Sequence, residues 1–570
     1  MVKQTNLAYF TNTIKQLKEE AQTDVIPVEV NSKKQYIGFL SIGNSSLRAK
    51  VFVELHESFE RMFHNLEKKA WQLIMKGHLE PDWIKFDYVH HVESISFKEL
   101  ETKLNLTRRN YFRYGISFDN NFDLAFLEQE LNGNALIRKL ADESIGLHEN
   151  NINHYLSVKG SNRVVFVKKA FKNKAVLLFQ TKGYFKDRSK DELLSLYDGN
   201  LTNGLRKIIN MNDEVKSLIT HSTNFLTKQV QKTGKFTYGY FSAFGKTIAN
   251  YNILRHSSSL YAMVEGYEIT KNPETLRAVE RGIQYVLDTA LVYKKEGEEG
   301  IAFIVEHANK GEIKLGSNAT AILAMAKYME VTGDRTYVKV AQDLARGILE
   351  MRLPDNSFIH VLQYPGFSIK ELNRIIYYEG EAIFALLRLH ALDKESRWLE
   401  ESKISFDYFI ENYYWKHHDH WLSYAANELT QYDPDDKYFL FGMKNCQGRL
   451  KFIYHRETTF PTFLELTMAA YKMVQRMKEL GKMDLLEHID ETYLLETIDR
   501  RAEFQRVGFF YPEQAMYMKK PGLILHGFFI RHHSFRVRID DVEHYLSGYC
   551  QYYHDRLKSL DELTLDHLDV

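Results

Sequence analysis

The stretch YYEGEAIFALLRLHALD (residues 377–393) runs straight into KESRWLEESKISFDYFIENY (394–413). From Ile383 to Leu392 the first segment is apolar nearly all round, the pattern of a helix buried on every side. The second sets Trp398, Phe406 and Phe409 among charged residues, the pattern of a helix with one wet face. Lys394 and its neighbours form a tight turn between them. The pair therefore reads as a helical hairpin with an inner and an outer member.

The same unit recurs along the chain. YNILRHSSSLYAMVEGYEIT (251–270) precedes NPETLRAVERGIQYVLDTAL (272–291), and SNATAILAMAKYMEVTG (317–333) precedes DRTYVKVAQDLARGILEMR (334–352). The turns at Asn272, Asp334 and Lys394 lie about 60 residues apart, a self-similarity that marks a repeat architecture. Further pairs are expected around 421–445, 456–505 and 541–556, with an extra helix at 213–231. A hairpin cannot bury its apolar face alone, so hairpins stack. Apolar, small-residue-rich members alternate with charged ones, which favours six hairpins closed into an (α/α)6 toroid over an open solenoid. Polar residues gather at the start of each inner helix, so in a ring they converge on one mouth.

Before residue 205 the character differs. QYIGFLSIGN, RAKVFVEL, WIKFDYVHHV and KAVLLFQTKGYF read as strands, and ESFERMFHNLEKKAWQLIMKG reads as an amphipathic helix. The expected organisation is mainly α: an N-terminal α+β domain of unknown role at 1–204, then the toroid at 205–570 as the active-site domain.

The chain of 570 residues carries 75 basic and 75 acidic side chains, 44% hydrophobic residues and 13% aromatic ones. A zero net charge gives no electrostatic case for nucleic acid as a partner. The N-terminus lacks a signal-peptide core, and no apolar run reaches the roughly 18 residues of a membrane span. A cytoplasmic protein is the expectation. Only two cysteines, Cys446 and Cys550, occur. With no Cys/His ligand spacing, phosphate-binding glycine loop or nucleophile elbow, neither a metal nor a cofactor is expected.

The hairpin pattern over 205–556, carried by YYEGEAIFALLRL, KLGSNATAILAMA and VRIDDVEHYLSGY, resembles the six-hairpin glycosidase-like superfamily of hydrolases, lyases and epimerases. The resemblance implies a saccharide-like substrate at the toroid mouth. It transfers no catalytic residue, because no member family's motif is matched.

Candidate site residues follow from the polar starts of the inner helices. Glu379 and Glu381 sit two apart, about 200° around a helix, so they cannot face the same way. One should line the mouth as acid, base or hydroxyl acceptor; the other should cap or pair elsewhere, as acids at helix starts do. Gly380 between them signals a close approach. Asp540 and Asp541 can each reach His544 on one helix face, with Arg538 just before them. Asn252, Arg255 and His256 form a polar stripe, unless that face turns to solvent. Asp419, His420 and Trp421 precede another inner helix, and Arg456 the next. Tyr240, Tyr251, Tyr377, Tyr378 and Trp421 are candidate stacking walls.

Expected catalytic residues are thus Glu379, Glu381, Asp540, His544 and His256. Asn252, Arg255, Tyr377, Tyr378, Asp419, His420, Trp421, Arg456, Arg538 and Asp541 are expected to bind substrate. Arginines among acids and histidines suit an acidic saccharide or a cell-surface polysaccharide precursor, since a guanidinium clamps a carboxylate. Epimerisation, elimination and hydrolysis all fit. The alternatives are a non-catalytic binding or scaffold module in a biosynthetic assembly, with a protein partner engaged through the N-terminal domain, or a peptide- or amino-acid-modifying enzyme.

Overall fold

The computed structural model describes residues 2–159 and 165–558. The chain divides into two compact units. One comprises 1–209 together with 240–247 and 506–537; the other comprises 210–239, 248–505 and 538–570. The two short segments thus leave the toroid's stretch of sequence and pack with the N-terminal unit.

The second unit is built on twelve helices, numbered here within it: α1 (Met211–Gln229), α2 (Ile253–Thr270), α3 (Pro273–Ala290), α4 (Leu315–Thr332), α5 (Val338–Glu350), α6 (Tyr377–Asp393), α7 (Ser396–Glu411), α8 (His420–Tyr432), α9 (Asp436–Tyr454), α10 (Thr462–Glu479), α11 (Glu491–Gln505) and α12 (Ile539–Gln551). The even-numbered helices pack each on the next, from α2 through α4, α6, α8 and α10 to α12, and α12 packs back on α2. That closure makes the (α/α)6 toroid. The outer helix α1 touches both α12 and α2, so the last hairpin joins opposite ends of the sequence.

Burial follows the sequence pattern. Every residue of α4 from Leu315 to Ala326 is buried. The outer α3 buries one stripe, including Ala278, Val279, Ile283 and Val286. The turns take left-handed residues at Lys271, Gly333 and Lys394, the conformation that ends a helix and satisfies its last carbonyls. Asn272 then caps α3, accepting from Glu274 N at 3.1 Å, with Pro273 opening the helix. A five-stranded antiparallel sheet (Leu291–Lys295, Ile301–Glu306, Glu312–Lys314, Val361–Gln363, Ser368–Glu371) feeds the starts of α4 and α6.

The N-terminal unit holds an eight-stranded antiparallel sheet centred on the long pair Trp83–Ser96 and Ala175–Asp187, with Lys33–Gly43 beside it. The helix Phe59–Met75 presents Met62, Phe63, Leu66, Ala70 and Ile74 to one core. The segment 506–537 is stitched into this unit by Tyr517 Oη donating to Ser41 Oγ at 2.9 Å and by Arg206 gripping Glu513 through two bonds of 2.7 Å.

Candidate functional site

The inner helices run parallel, so their N-terminal ends lie together, and each brings free N–H groups and a positive dipole end. Acids are correspondingly dense there. Glu306 Oε1 accepts from Ile253 N at 2.6 Å and Leu254 N at 3.2 Å at the start of α2. Asp419 caps α8, accepting from Trp421 N and Leu422 N at 3.2 and 2.9 Å.

Glu379 and Glu381 diverge, as the helical step requires. Glu379 Oε1 accepts from His360 Nε2 at 2.7 Å, and His360 Nδ1 in turn accepts from Arg374 N at 2.8 Å. Glu381 points into the ring and is buried, and its Oε2 has no hydrogen-bond partner among the described residues. Burial raises its carboxyl well above the ordinary range, and Asp419 and Glu543 raise it further. Two glycines make room. A Cβ on Gly316 would lie 2.0 Å from Glu381 Oε2, and one on Gly380 would lie 2.5 Å from Leu422 N and 2.7 Å from Asp419 Oδ2.

His420 and His544 meet edge to face, with ring centroids 5.1 Å apart. Asp419 Oδ1 stands 3.2 Å from His420 Nδ1, which favours the proton on that nitrogen. His420 Nε2 is buried without a partner among the described residues. His544 Nδ1 lies 3.1 Å from Glu465 Oε2 and 3.3 Å from Glu543 Oε1, ion-pair distances out of line for a hydrogen bond. Burial opposes the charged imidazole, but Glu543 and Glu465 outweigh it and push it up to about 10. Burial also raises Glu543, with His544 pulling the other way. His544 keeps 20% of its side chain exposed whereas Glu465 and Glu543 keep 1% each, so the imidazole is the reachable group.

Tyr377 stands edge-on to His420 at 5.6 Å, and Trp421 packs against both imidazoles. Tyr378 lies against His360.

The structure groups the other expected residues differently. Asp540 and Asp541 do not hold His544. Arg538 forks onto Asp540, with Nη2 2.5 Å from Oδ2, and lies 3.5 Å from Asp541; Arg255 Nε adds a second cation 3.1 Å from Asp540. Burial works against the Asp540 carboxylate, but Arg538 and Arg255 hold it below its usual range. Arg255 also donates to Tyr238 Oη at 2.9 Å, and Asn252 caps α2 through Arg255 N at 3.1 Å. His256 turns toward α3. Its Nε2 meets Gly282 O at 3.0 Å, its Nδ1 meets Tyr251 Oη at 2.7 Å, and its ring packs on Phe236 and Tyr285. Burial pushes it down to about 4. Arg456 binds Thr458 Oγ1 at 2.6 Å and lies over Phe452.

Glu465, Glu543 and His360 escaped sequence reasoning. Glu465 is a lone acid in the apolar run TFLELTMAAY, and that isolation is the signal that could have found it. Its Oε1 accepts from Tyr424 Oη at 3.0 Å, and Glu543 Oε2 accepts from Ser258 Oγ at 3.1 Å.

His420, Glu465 and His544 each bring one donor atom within 4.8 Å of the others, and two imidazoles with a carboxylate have the donor types of a zinc site. The C-terminal end of the ring holds a polar cavity of about 440 Å3. Its charges close on one another, Arg388 on Glu428 at 2.9 Å and Lys327 on Glu268 at 2.7 Å. Unpartnered titratable groups instead gather at the N-terminal end. Cys446 and Cys550 are buried, and burial pushes both thiols up, away from nucleophilic use. No helix among the described residues is long and apolar enough to cross a membrane.

The ring of six hairpins gives the chain the architecture of the six-hairpin glycosidase-like superfamily. No family model matches the sequence. No curated protein matches it. Among solved structures, a sugar epimerase from a ruminal bacterium is 14% identical, covering 60% of this chain and 98% of its own, with a TM-score of 0.46. Cellobiose 2-epimerase from Bacillus thermoamylovorans is 11% identical over 60% and 99%, TM-score 0.45. A GH76 α-mannanase from Bacteroides thetaiotaomicron is 10% identical over 60% and 97%, TM-score 0.42. These are likenesses of fold, and one fold hosts many reactions. No residue role is taken from them.

Proposed function

We propose that the protein is a glycan-active enzyme that moves protons at a sugar carbon, with His544 as acid and His420 as base. The observation that carries this reading is the facing imidazole pair, one ring held as imidazolium by two buried carboxylates and the other offering an unpartnered Nε2. A base on one side and an acid on the other is what epimerisation or isomerisation next to a carbonyl requires. The carbonyl oxygen gains charge as the proton leaves carbon, and the imidazolium and converging helix N-termini stabilise it.

The substrate is read as recognised through hydroxyls. Arg538 and Arg255, the expected carboxylate clamp, are engaged by Asp540. The unpartnered groups include carboxylate oxygens of Glu379 and Glu381, which accept hydroxyl donors. Tyr377 and Trp421 offer flat faces to a sugar ring. Hydrolysis is the second reading, favoured by Glu381 and Glu543: burial holds both carboxyls protonated above the usual range, as a general acid needs.

The test is NMR in D2O with neutral and acidic mono- and oligosaccharides. Deuterium entering at a ring carbon supports proton transfer at carbon; new reducing ends would replace it with hydrolysis. Glycan binding without any turnover would leave a binding module, and neither turnover nor binding would end the glycan reading.

A further inference from the structure

The N-terminal unit contains a charged cluster that the toroid chemistry does not use. Glu128 Oε1 lies 3.0 Å from Arg113 Nη1 and 3.4 Å from Arg531 Nη1, so two guanidiniums share one carboxylate oxygen. The same oxygen accepts from Asn132 Nδ2 at 2.9 Å, and Glu128 Oε2 accepts from Asn203 Nδ2 at 3.2 Å. Glu128 is therefore saturated. The neighbouring acids are taken as well. Arg206 holds Glu513 with two bonds of 2.7 Å, Lys159 stands 2.8 Å from Glu130, and Lys85 stands 2.8 Å from Asp87.

The arginines are deeply buried, Arg113 at 6% exposure and Arg531 at 2%. Arg113 Nε has no hydrogen-bond partner among the described residues, and neither do the amide atoms of Gln129, 4% exposed. A buried guanidinium without its own counter-charge is costly, because desolvation is not offset. Burial, then the like charge of Arg531, pushes Arg113 down to about 10. A small cavity of about 10 Å3 opens among Arg113, Asn203, Gly204, Arg506, Glu513 and Arg531. Gly204 has φ +76°, and a Cβ there would meet Gln129 Nε2 at 2.7 Å, so the backbone comes close to the amide. The space admits one small group.

We propose that the N-terminal unit binds a small oxyanion, a carboxylate or phosphate group, between Arg113 and Arg531. Paired guanidiniums bind such groups through parallel charge-assisted hydrogen bonds. The anion supplies the counter-charge that Glu128 alone cannot give to both.

The experiment is a titration of the full chain with inorganic phosphate, followed by 31P NMR, and with acetate, followed by calorimetry, at fixed low ionic strength. Wild type should bind one anion saturably, and the tighter of the two probes identifies the natural group. Glu128→Gln frees both guanidiniums and should tighten binding by about tenfold, the reverse of what losing a merely structural ion pair does. Arg531→Met should weaken binding by about tenfold or more; should it not fold, Glu128→Gln decides. No saturable binding of either anion, or Glu128→Gln binding no more tightly than wild type, overturns the proposal.

Discussion

His544 on α12 and Glu465 on α10 stand 3.1 Å apart, and this pair, not either aspartate beside His544 in sequence, sets the imidazole's charge. The two residues are brought together by the ring, across a packed boundary between inner helices.

Replacing either imidazole should remove activity without unfolding the protein. His544→Asn and His420→Gln are each expected to lower kcat by about 10²–10⁴-fold, the usual contribution of a positioned acid or base. Deuterium incorporation measured alongside circular dichroism checks this. Unchanged rates in both variants would remove the pair from the chemistry.

Glu465→Gln should move the pH profile. The carboxylate favours the charged imidazole, so its loss lowers the His544 pKa from about 10 toward its ordinary value. An acid that must be protonated is then lost at lower pH. The alkaline limb of kcat/KM should shift down by about one unit or more.

Glu381→Gln should change stability with a definite sign. Burial raises the folded-state pKa of Glu381 above its ordinary 4.5. Its contribution to stability is thus fully present below that value and is lost as pH rises through the folded pKa. His544, raised from 6.5 to about 10, has the same sign, its contribution lost as pH rises toward 10. In urea melts the variant should match wild type near pH 4 and gain on it progressively as pH rises. A constant gap at all pH values would contradict the buried, protonated Glu381.

Gly380→Ala inserts a methyl group 2.5 Å from Leu422 N. The α6–α8 contact has to open, at about 1–3 kcal/mol. Because the same shift moves Asp419 and His420, urea melts should show the loss together with a lowered kcat.

If His420 and His544 act as acid and base, chelation should leave activity intact. Dialysis against EDTA with elemental analysis tests this. Activity lost with EDTA and restored by zinc would assign the trio with Glu465 to a metal.

The hairpins were legible because helix periodicity is local: YYEGEAIFALLRLHALD is buried as α6 and KESRWLEESKISFDYFIENY is half-buried as α7. The meaning of Gly380 was legible too, since glycine costs a buried helix stability and is kept where a side chain would collide with a neighbour. The partners of His544 were not. Asp540 and Asp541 are at helical spacing from it, but Arg538 and Arg255 hold Asp540 more strongly than the imidazole does. His256 shares a helix with Arg255 yet turns to α3, because the 100° step separates consecutive residues onto different faces.

Sequence by itself determined the helical repeat, the inner and outer members and the acid-rich helix starts, all properties of neighbours along a chain. Tertiary structure alone decided that α12 closes on α2, that 506–537 packs with the N-terminal unit, and that His420, Glu465, Glu543 and His544 converge. Those outcomes depend on which distant surfaces bury each other, and periodicity carries no record of the partner.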